Sequence, residues 1–446
     1  MGEKNLKYYN SRSFKIFYKK LKNSLNNDKK TVKNYQKYNL KKTLIYSYEN
    51  IPFYKNIFDE INFNPYSFEK IETINKITKI NKKIILKNYK KFQNKSIEKS
   101  KIIYMTTGGS TGNPLLIPMT KDYKSKSLAC TFFYMSHLGY SILNDKSVRI
   151  HGDLGLKNKV FKISKNKLIL SSEKINIFNL KLIVQMINKF KPKYIHAYPS
   201  AIFLLCKLLQ KEKIKCGVKI KAIFTDSEVL YEYQKKEIEK FFQCRIFNTY
   251  GHTEGAIFGV STKKTKFIHL HPEVGFVQLI DPKSGKEIKN NNLYGELVVT
   301  GFLNNAFPLI RYKTGDIACY ANIKNSDNVF KYKVLKKIEG REQDYIVNKN
   351  KELIPAAPLL FDYNINWSGV EKFQIEQKEI GKIQLSIKLI NKKEKSSILK
   401  RIIKEFSILF DKNINIKYKI VPNIQSTRIG KYRYMKQFLN LKKIAI

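Results

Sequence analysis

Apolar positions along the middle of the chain switch repeatedly between two periods. Ile183, Met186, Ile187 and Phe190 recur at helical spacing, and residues 193–198 (Lys-Tyr-Ile-His-Ala-Tyr) then read as a strand. Pro199-Ser200 opens a further helix with Ser200 as the expected N-cap, and residues 218–224 form the next strand. Residues 231–242 predict a helix with Tyr231, Ile238, Phe241 and Phe242 inward, followed by a third strand over 244–249. Strand, helix, strand, helix, strand with short connections implies right-handed parallel crossovers and a sheet covered on both faces. Ligands of such sheets bind beyond the carboxyl ends of the strands. Thr225-Asp226-Ser227-Glu228 and Tyr250-Gly251-His252-Thr253-Glu254 both fall at such ends.

Elsewhere the pattern is plainer. Residues 1–100 read as mostly helical and Lys/Asn/Tyr-rich, with loose packing expected for some of the first 40. Strands are expected at 295–301 and 329–337, and a boundary near Gly340-Arg341. Beyond it, strands at 373–377 and 383–390, a helix near 396–410 and a strand at 415–420 suggest a small α+β unit. The fold class is therefore α/β: a large N-terminal multi-sheet domain with parallel βαβ units (1–339), a hinge (340–346) and a small C-terminal α+β domain (347–446).

Composition narrows the class. A chain of 446 residues suggests two or three folding units. No apolar run approaches the roughly 20 residues of a membrane-spanning helix, and no secretory signal is visible at the start. The five cysteines (130, 206, 216, 244, 319) are scattered, with no CxxC pair, which fits a reducing compartment and makes the cytoplasm the expected location.

Charge changes the picture less than its size suggests. Eighty-five basic against 36 acidic residues give a net charge of +49. Only eight of the basic residues are Arg, and Lys, Asn, Ile, Tyr and Phe crowd the whole chain, as a compositional bias would produce. Specific nucleic-acid readers favour Arg, so no specific nucleic-acid partner is expected, only weak electrostatic attraction to anionic membrane surfaces. The rare arginines become informative instead. Arg311, Arg341, Arg428 and Arg433 lie in three short segments (308–316, 340–346, 426–434), where chance would place about half an Arg.

Those segments join two others that carry chemistry. Residues 104–114 (Tyr-Met-Thr-Thr-Gly-Gly-Ser-Thr-Gly-Asn-Pro) let backbone N–H groups approach an anion, with hydroxyls as further donors. The loop matches neither the Walker pattern nor the dinucleotide fingerprint, and alone it serves equally well as a turn between strands. Glu254, on a tight turn at a sheet edge, suits Mg²⁺ beside a triphosphate or a helix cap. Asp316, after the Gly315 turn, suits two ribose hydroxyls. Lys431 stands out only through its setting in 426–433 (Ser-Thr-Arg-Ile-Gly-Lys-Tyr-Arg).

The five segments in this order resemble the adenylate-forming superfamily of acyl-CoA synthetases, peptide-synthetase adenylation domains and luciferases. The phrases 191–200 (Lys-Pro-Lys-Tyr-Ile-His-Ala-Tyr-Pro-Ser), 228–234, 250–254 and 304–316 are most similar to the phenylacetate-CoA ligase branch and its capsule-biosynthesis relatives. The resemblance spans roughly residues 40–440.

It implies an enzyme that activates a carboxylic acid with ATP and Mg²⁺. The acyl-adenylate would pass its acyl group to coenzyme A, or to an amine or hydroxyl of a cell-surface sugar precursor. Thr106, Thr107, Gly108, Gly109, Ser110, Thr111 and Gly112 would wrap the phosphates. Ser227 and Glu228, with Asn248, Thr249, Tyr250, Gly251 and Thr253, would line the nucleotide pocket. Glu254 would hold Mg²⁺, Asp316 the ribose, and Arg341 the nucleotide from the hinge. Lys431 would bridge the substrate carboxylate and the α-phosphate. His151, His196, Tyr198 and Pro199 are candidates for the acyl pocket, although each histidine also suits a satisfied core position. Relatives often carry a charged hinge residue where Gln343 stands here. Some bind zinc through cysteines near the segment 261–271; this chain has His269 and His271 without them, so no zinc is expected and the pair reads as strand-surface histidines. The alternative is a catalytically inactive, basic binding protein on the same scaffold, which would not need Glu254, Asp316 and Lys431 together.

Overall fold

A computed structural model describes residues 6–106, 115–152, 156, 159–341, 345–355, 367, 369–391, 394–410, 413–425, 434–439 and 444. It is a mixed α/β protein with a large multi-stranded sheet region and a smaller C-terminal sheet, and the chain divides into two compact units.

The first unit comprises residues 1–146, 164–167 and 247–338. Its N-terminal helices start at side-chain caps. Ser11 accepts from the Phe14 amide before Arg12–Ser24, and Asp28 from the Thr31 amide before Lys29–Asn50. Helix Lys29–Asn50 buries Val32, Gln36, Leu40, Leu44 and Ser47, a stripe at three- and four-residue spacing. Phe14, Phe17 and Leu21 are also buried, with the Phe14 ring edge-on to Phe132 of helix Lys121–His137.

The sheet of this unit is antiparallel. Strand Gly275–Ile280 pairs with Tyr294–Gly301, which pairs with Tyr312–Tyr320. Ile268–Leu270 pairs with Val334–Arg341 and with Phe258–Val260, and Phe258–Val260 pairs with Arg245–Gly251. The strand expected at 329–337 begins only at Val334, because the Asn328 side chain donates to the Tyr332 carbonyl in a turn that leaves Lys331 at φ 51°.

The second unit comprises residues 147–163, 168–246 and 339–446. Strands Ser147–His151, Tyr194–Ala197 and Ala222–Thr225 lie side by side in parallel; the second and third fall on the strands expected at 193–198 and 218–224, and the first was not read from the sequence. Helices Ile177–Phe190, Pro199–Lys211 and Glu232–Phe242 supply Ile183, Ile187, Leu205 and Ile238 to a core that includes Ile195 and Ile223. Ser200 is not an N-cap. Helix Pro199–Lys211 starts two residues earlier, with Tyr198 at the cap position, because proline at the first helical turn needs no donor partner.

The C-terminal part carries a four-stranded sheet in the order Asn415–Ile420, Lys382–Leu389, Val370–Glu379, Met435–Gln437. Helix Lys395–Phe410 covers it with Ile398, Ile402, Phe406 and Phe410. Among the described residues no helix is long and apolar enough to cross a membrane.

Candidate active site

In the first unit two of the sequence segments clasp each other. Strand Arg245–Gly251 returns as Phe258–Val260, with Tyr250 opposite Gly259 and Gly251 opposite Phe258, so residues 252–257 form the connecting turn. Gly255 closes that turn at φ +75°; a Cβ there would lie 2.0 Å from the Tyr123 hydroxyl, so glycine is required on both counts. The turn presents Glu254, which is 12% exposed. Its Oε1 accepts from the Tyr312 hydroxyl at 3.0 Å, and its Oε2 lies 3.3 Å from His252 Nδ1. Burial alone would raise this carboxyl, but His252, the backbone amide and Tyr312 outweigh it and hold it down at about 2. Glu254 is therefore an anion at any pH near neutrality.

Asp316 reaches the same place by a different device. Strand Tyr312–Tyr320 shifts register against Tyr294–Gly301 between Glu296 and Val298, a β-bulge containing Thr314, Gly315 and Asp316. Gly315 takes φ +78°, its amide donates to Glu296 Oε1, and Lys313 pairs with Glu296 Oε2 at 2.7 Å. The Tyr250 hydroxyl donates to Asp316 Oδ2 at 2.7 Å. Each segment thus lends a tyrosine hydroxyl to the carboxylate of the other. Asn248 is tied to Ser261 through both its amide and its carbonyl, at 2.8 Å each, which fixes Thr249 to Gly251 beside it.

Thr106 ends strand Ile102–Thr106, paired with Leu116 of strand Leu116–Thr120. Thr107, Gly108, Gly109, Ser110, Thr111 and Gly112 lie outside the described residues, as do Gln343 and Lys431. Arg341 is the last residue of strand Val334–Arg341.

In the second unit the other candidates gather at the carboxyl ends of the parallel strands. His151 ends Ser147–His151, and His196 lies near the end of Tyr194–Ala197. Asp226 follows Ala222–Thr225. Asp226 Oδ2 contacts His196 Nε2 at 2.6 Å and Oδ1 contacts His151 Nε2 at 3.3 Å, while the Tyr198 ring stands edge-on to His151, 4.5 Å between centroids. Burial pushes His151 down to about 4 despite its bond to Asp226. Burial also opposes ionisation of Asp226, but the two imidazoles prevail and keep it well below the usual carboxylate range.

Among the described residues these three form the group able to hold a metal ion. The 2.6 Å contact is nevertheless a hydrogen bond, shorter than the roughly 3.3 Å between two ligands of one tetrahedral zinc. Ser227 follows in the left-handed region (φ 68°), a strained conformation for a residue with a side chain. Glu228 Oε2 accepts from the Ser200 amide at 3.0 Å, so it supplies the cap that helix Pro199–Lys211 lacks locally. Buried Pro199 stands at the start of that helix.

Sequence reasoning missed Asp226, His252 and Tyr312 as site residues, although all three lay inside quoted segments. A second correction concerns His269 and His271. They are not on a strand surface: both are buried, His269 bonded to Thr265 at 2.8 Å and His271 packed against the Phe330 and Phe258 rings.

Residues 27–305 match the AMP-binding enzyme family, and residues 346–437 match the CapK C-terminal domain. Protein CapK of Staphylococcus aureus is 29% identical over 395 residues, 87% of this chain and 85% of that protein. Phenylacetate-coenzyme A ligase of Thermus thermophilus is 25% identical over 303 residues, 63% of this chain and 64% of that protein. In fold, the chain is similar to 2-hydroxyisobutyryl-CoA ligase in the postadenylation state in complex with R3-HIB-AMP. The TM-score is 0.70 at 15% identity, covering 92% of this chain and 90% of that one. With the family model spanning more than half of the sequence, the chain belongs to the AMP-binding enzyme family and is an ATP-dependent, AMP-forming ligase resembling the phenylacetate-coenzyme A ligases.

Proposed function

We propose that the protein joins a carboxylic acid to the α-phosphate of ATP and then transfers the acyl group to a nucleophile. That acceptor is coenzyme A, or an amine or hydroxyl of a cell-surface sugar precursor. The observation that carries this reading is the exchange of tyrosine hydroxyls between Glu254 and Asp316. It ties the turn that carries Glu254 and the bulge that carries Asp316 into one hydrogen-bonded cluster, which brings a carboxylate suited to a cation next to one suited to ribose hydroxyls.

Asp316 would take the ribose hydroxyls there. Glu254 fits a hard divalent cation, because its oxygens are anionic and most of the remaining coordination of Mg²⁺ comes from phosphate and water. When bound, that ion would neutralise phosphate charge. Thr106 to Gly112 would cradle the phosphates. Ser227, Glu228 and residues 248–253 would line the nucleotide pocket, and His151, His196, Tyr198, Pro199 and Asp226 the acyl side. We assign residues 340–346 as a hinge, with Arg341 on the nucleotide and Lys431 of the C-terminal domain 347–446 reducing repulsion between the two reacting anions. The reaction would take place in the cytoplasm.

The test is exchange of labelled pyrophosphate into ATP across a panel of carboxylic acids. Exchange that depends on one class of acid supports the reading; absence of exchange with every acid, in protein shown to be folded, overturns it. Mass spectrometry of products with and without coenzyme A then identifies the acceptor.

A further inference from the structure

The first unit contains a cavity of about 680 Å³ that none of the residues assigned to ATP or Mg²⁺ line. It lies between helix Lys29–Asn50, the segment 71–79, the turn 285–289 and residues 331–333. Eight of its 17 lining residues are Lys or Arg and two, Glu72 and Glu287, are acidic. Across the chain, 85 residues of 446 are basic, so the wall is enriched beyond the background bias.

The charges in this wall are poorly compensated. Arg311 is 3% exposed and lies beside the cavity, and its Nη1 donates to the neutral carbonyls of Asn75 at 2.8 Å and Ile77 at 2.7 Å. Desolvation lowers its proton affinity, with Glu287 as a partial counter-charge that Lys333 and Gln278 share. Lys79 is likewise depressed, by burial and then by the neighbouring charges of Arg311 and Lys313, which outweigh the opposing charge of Glu296. Of the two acids, Glu287 is already engaged by Gln278 at 2.9 Å and Lys333 at 3.5 Å. Lys33, Lys286 and Lys289 are exposed at the rim. Phe276 and Tyr332 supply aromatic surface within the same wall.

We infer that this cavity binds a small molecule carrying two or more phosphate groups next to a ring, of the nucleoside diphosphate type. A single phosphate would leave most of the cationic wall unpaired, and a membrane surface cannot enter a concave space of this size. The diphosphate answers the uncompensated charge, and the aromatic side chains answer the ring. This site is separate from that of the ligase reaction and does not depend on how Glu254 and Asp316 are used.

The experiment is calorimetry with UDP in phosphate-free buffer, with the nucleotide site saturated by α,β-methylene-ATP and Mg²⁺. One UDP per chain is expected, with affinity falling steeply as salt is raised from about 50 to 200 mM. Lys33→Ala/Lys286→Ala/Lys289→Ala should weaken UDP by about tenfold or more, three partly exposed charge pairs being removed. The corresponding triple Lys→Arg variant should retain binding, which separates lost charge from lost fold. Lys211→Ala/Lys215→Ala/Lys219→Ala, equal in charge change but on exposed positions of the other unit, should leave binding intact. No heat with UDP, or equal weakening in both alanine variants, would mean general polyanion attraction and would overturn the site. Inorganic pyrophosphate in place of UDP should bind more weakly; equal affinity would remove the ring from the assignment.

Discussion

The Tyr312 hydroxyl donates to Glu254 Oε1 at 3.0 Å, which ties the strand carrying Asp316 to the turn carrying Glu254. Tyr312→Phe removes that donor and leaves the ring in the core. A hydrogen bond to a charged group contributes about 1.5–3 kcal/mol. The expected outcome is a raised Mg²⁺ requirement and an exchange rate lower by roughly 10-fold, with the melting temperature falling by only a few degrees. Glu254→Gln should shift the Mg²⁺ titration further in the same direction. Unchanged Mg²⁺ titrations in both variants would remove Glu254 from the cation site.

Gly255→Ala tests whether the turn geometry is required. The new methyl group would meet the Tyr123 hydroxyl at 2.0 Å and ring carbons at 2.6 and 3.0 Å, on a backbone at φ +75°. Strain and overpacking together should destabilise the fold by more than about 2 kcal/mol in urea titration. Combination with Tyr123→Leu should recover the steric part but not the backbone part. Full stability of the single variant would mean that the turn relaxes freely.

Much of this arrangement was legible in the sequence. The parallel strands and their helices could be read because apolar period alone distinguishes them, as in the alternation from Ile183 to Tyr198. Glu254 and Asp316 were legible because glycine punctuates both turns. Asp226 was not, because its meaning depends on two histidines 75 and 30 residues upstream that reach it only through strand pairing. His269 and His271 misled for a related reason: alternation fixes which face they share, while the Phe330 and Phe258 rings decide that the face is buried. Arg311 drew notice as a rare arginine, and in the structure its Nη1 donates to two backbone carbonyls.

Acid sensitivity follows from the histidines. His151 and His269 are each held near 4 in the folded chain, chiefly by burial, against an ordinary value of 6.5. The unfolded chain therefore takes up protons first as pH falls. Stability contributed by the neutral forms is fully present above about 6.5 and is lost between 6.5 and 4. At its steepest each group contributes about 1.4 kcal/mol per pH unit. Urea titrations of wild type and His151→Gln over this window should show the variant with a shallower slope, by up to about 1.4 kcal/mol per pH unit. Identical slopes would show that His151 stays neutral by another route or titrates normally.

The last prediction separates the two half-reactions. If Lys431 neutralises the approach of carboxylate to α-phosphate, its positive charge matters while pyrophosphate is leaving and not afterwards. Lys431→Ala should then slow pyrophosphate exchange by about 10²–10³. It should largely spare acyl transfer from a supplied acyl-adenylate, because that substrate already contains the bond Lys431 helps to form. Rapid-quench assays of both steps, on the acid identified by exchange, give the comparison. Equal losses in the two steps would place Lys431 in general nucleotide binding and would leave the charge problem of the first step to Arg341 and the residues of the 106–112 loop.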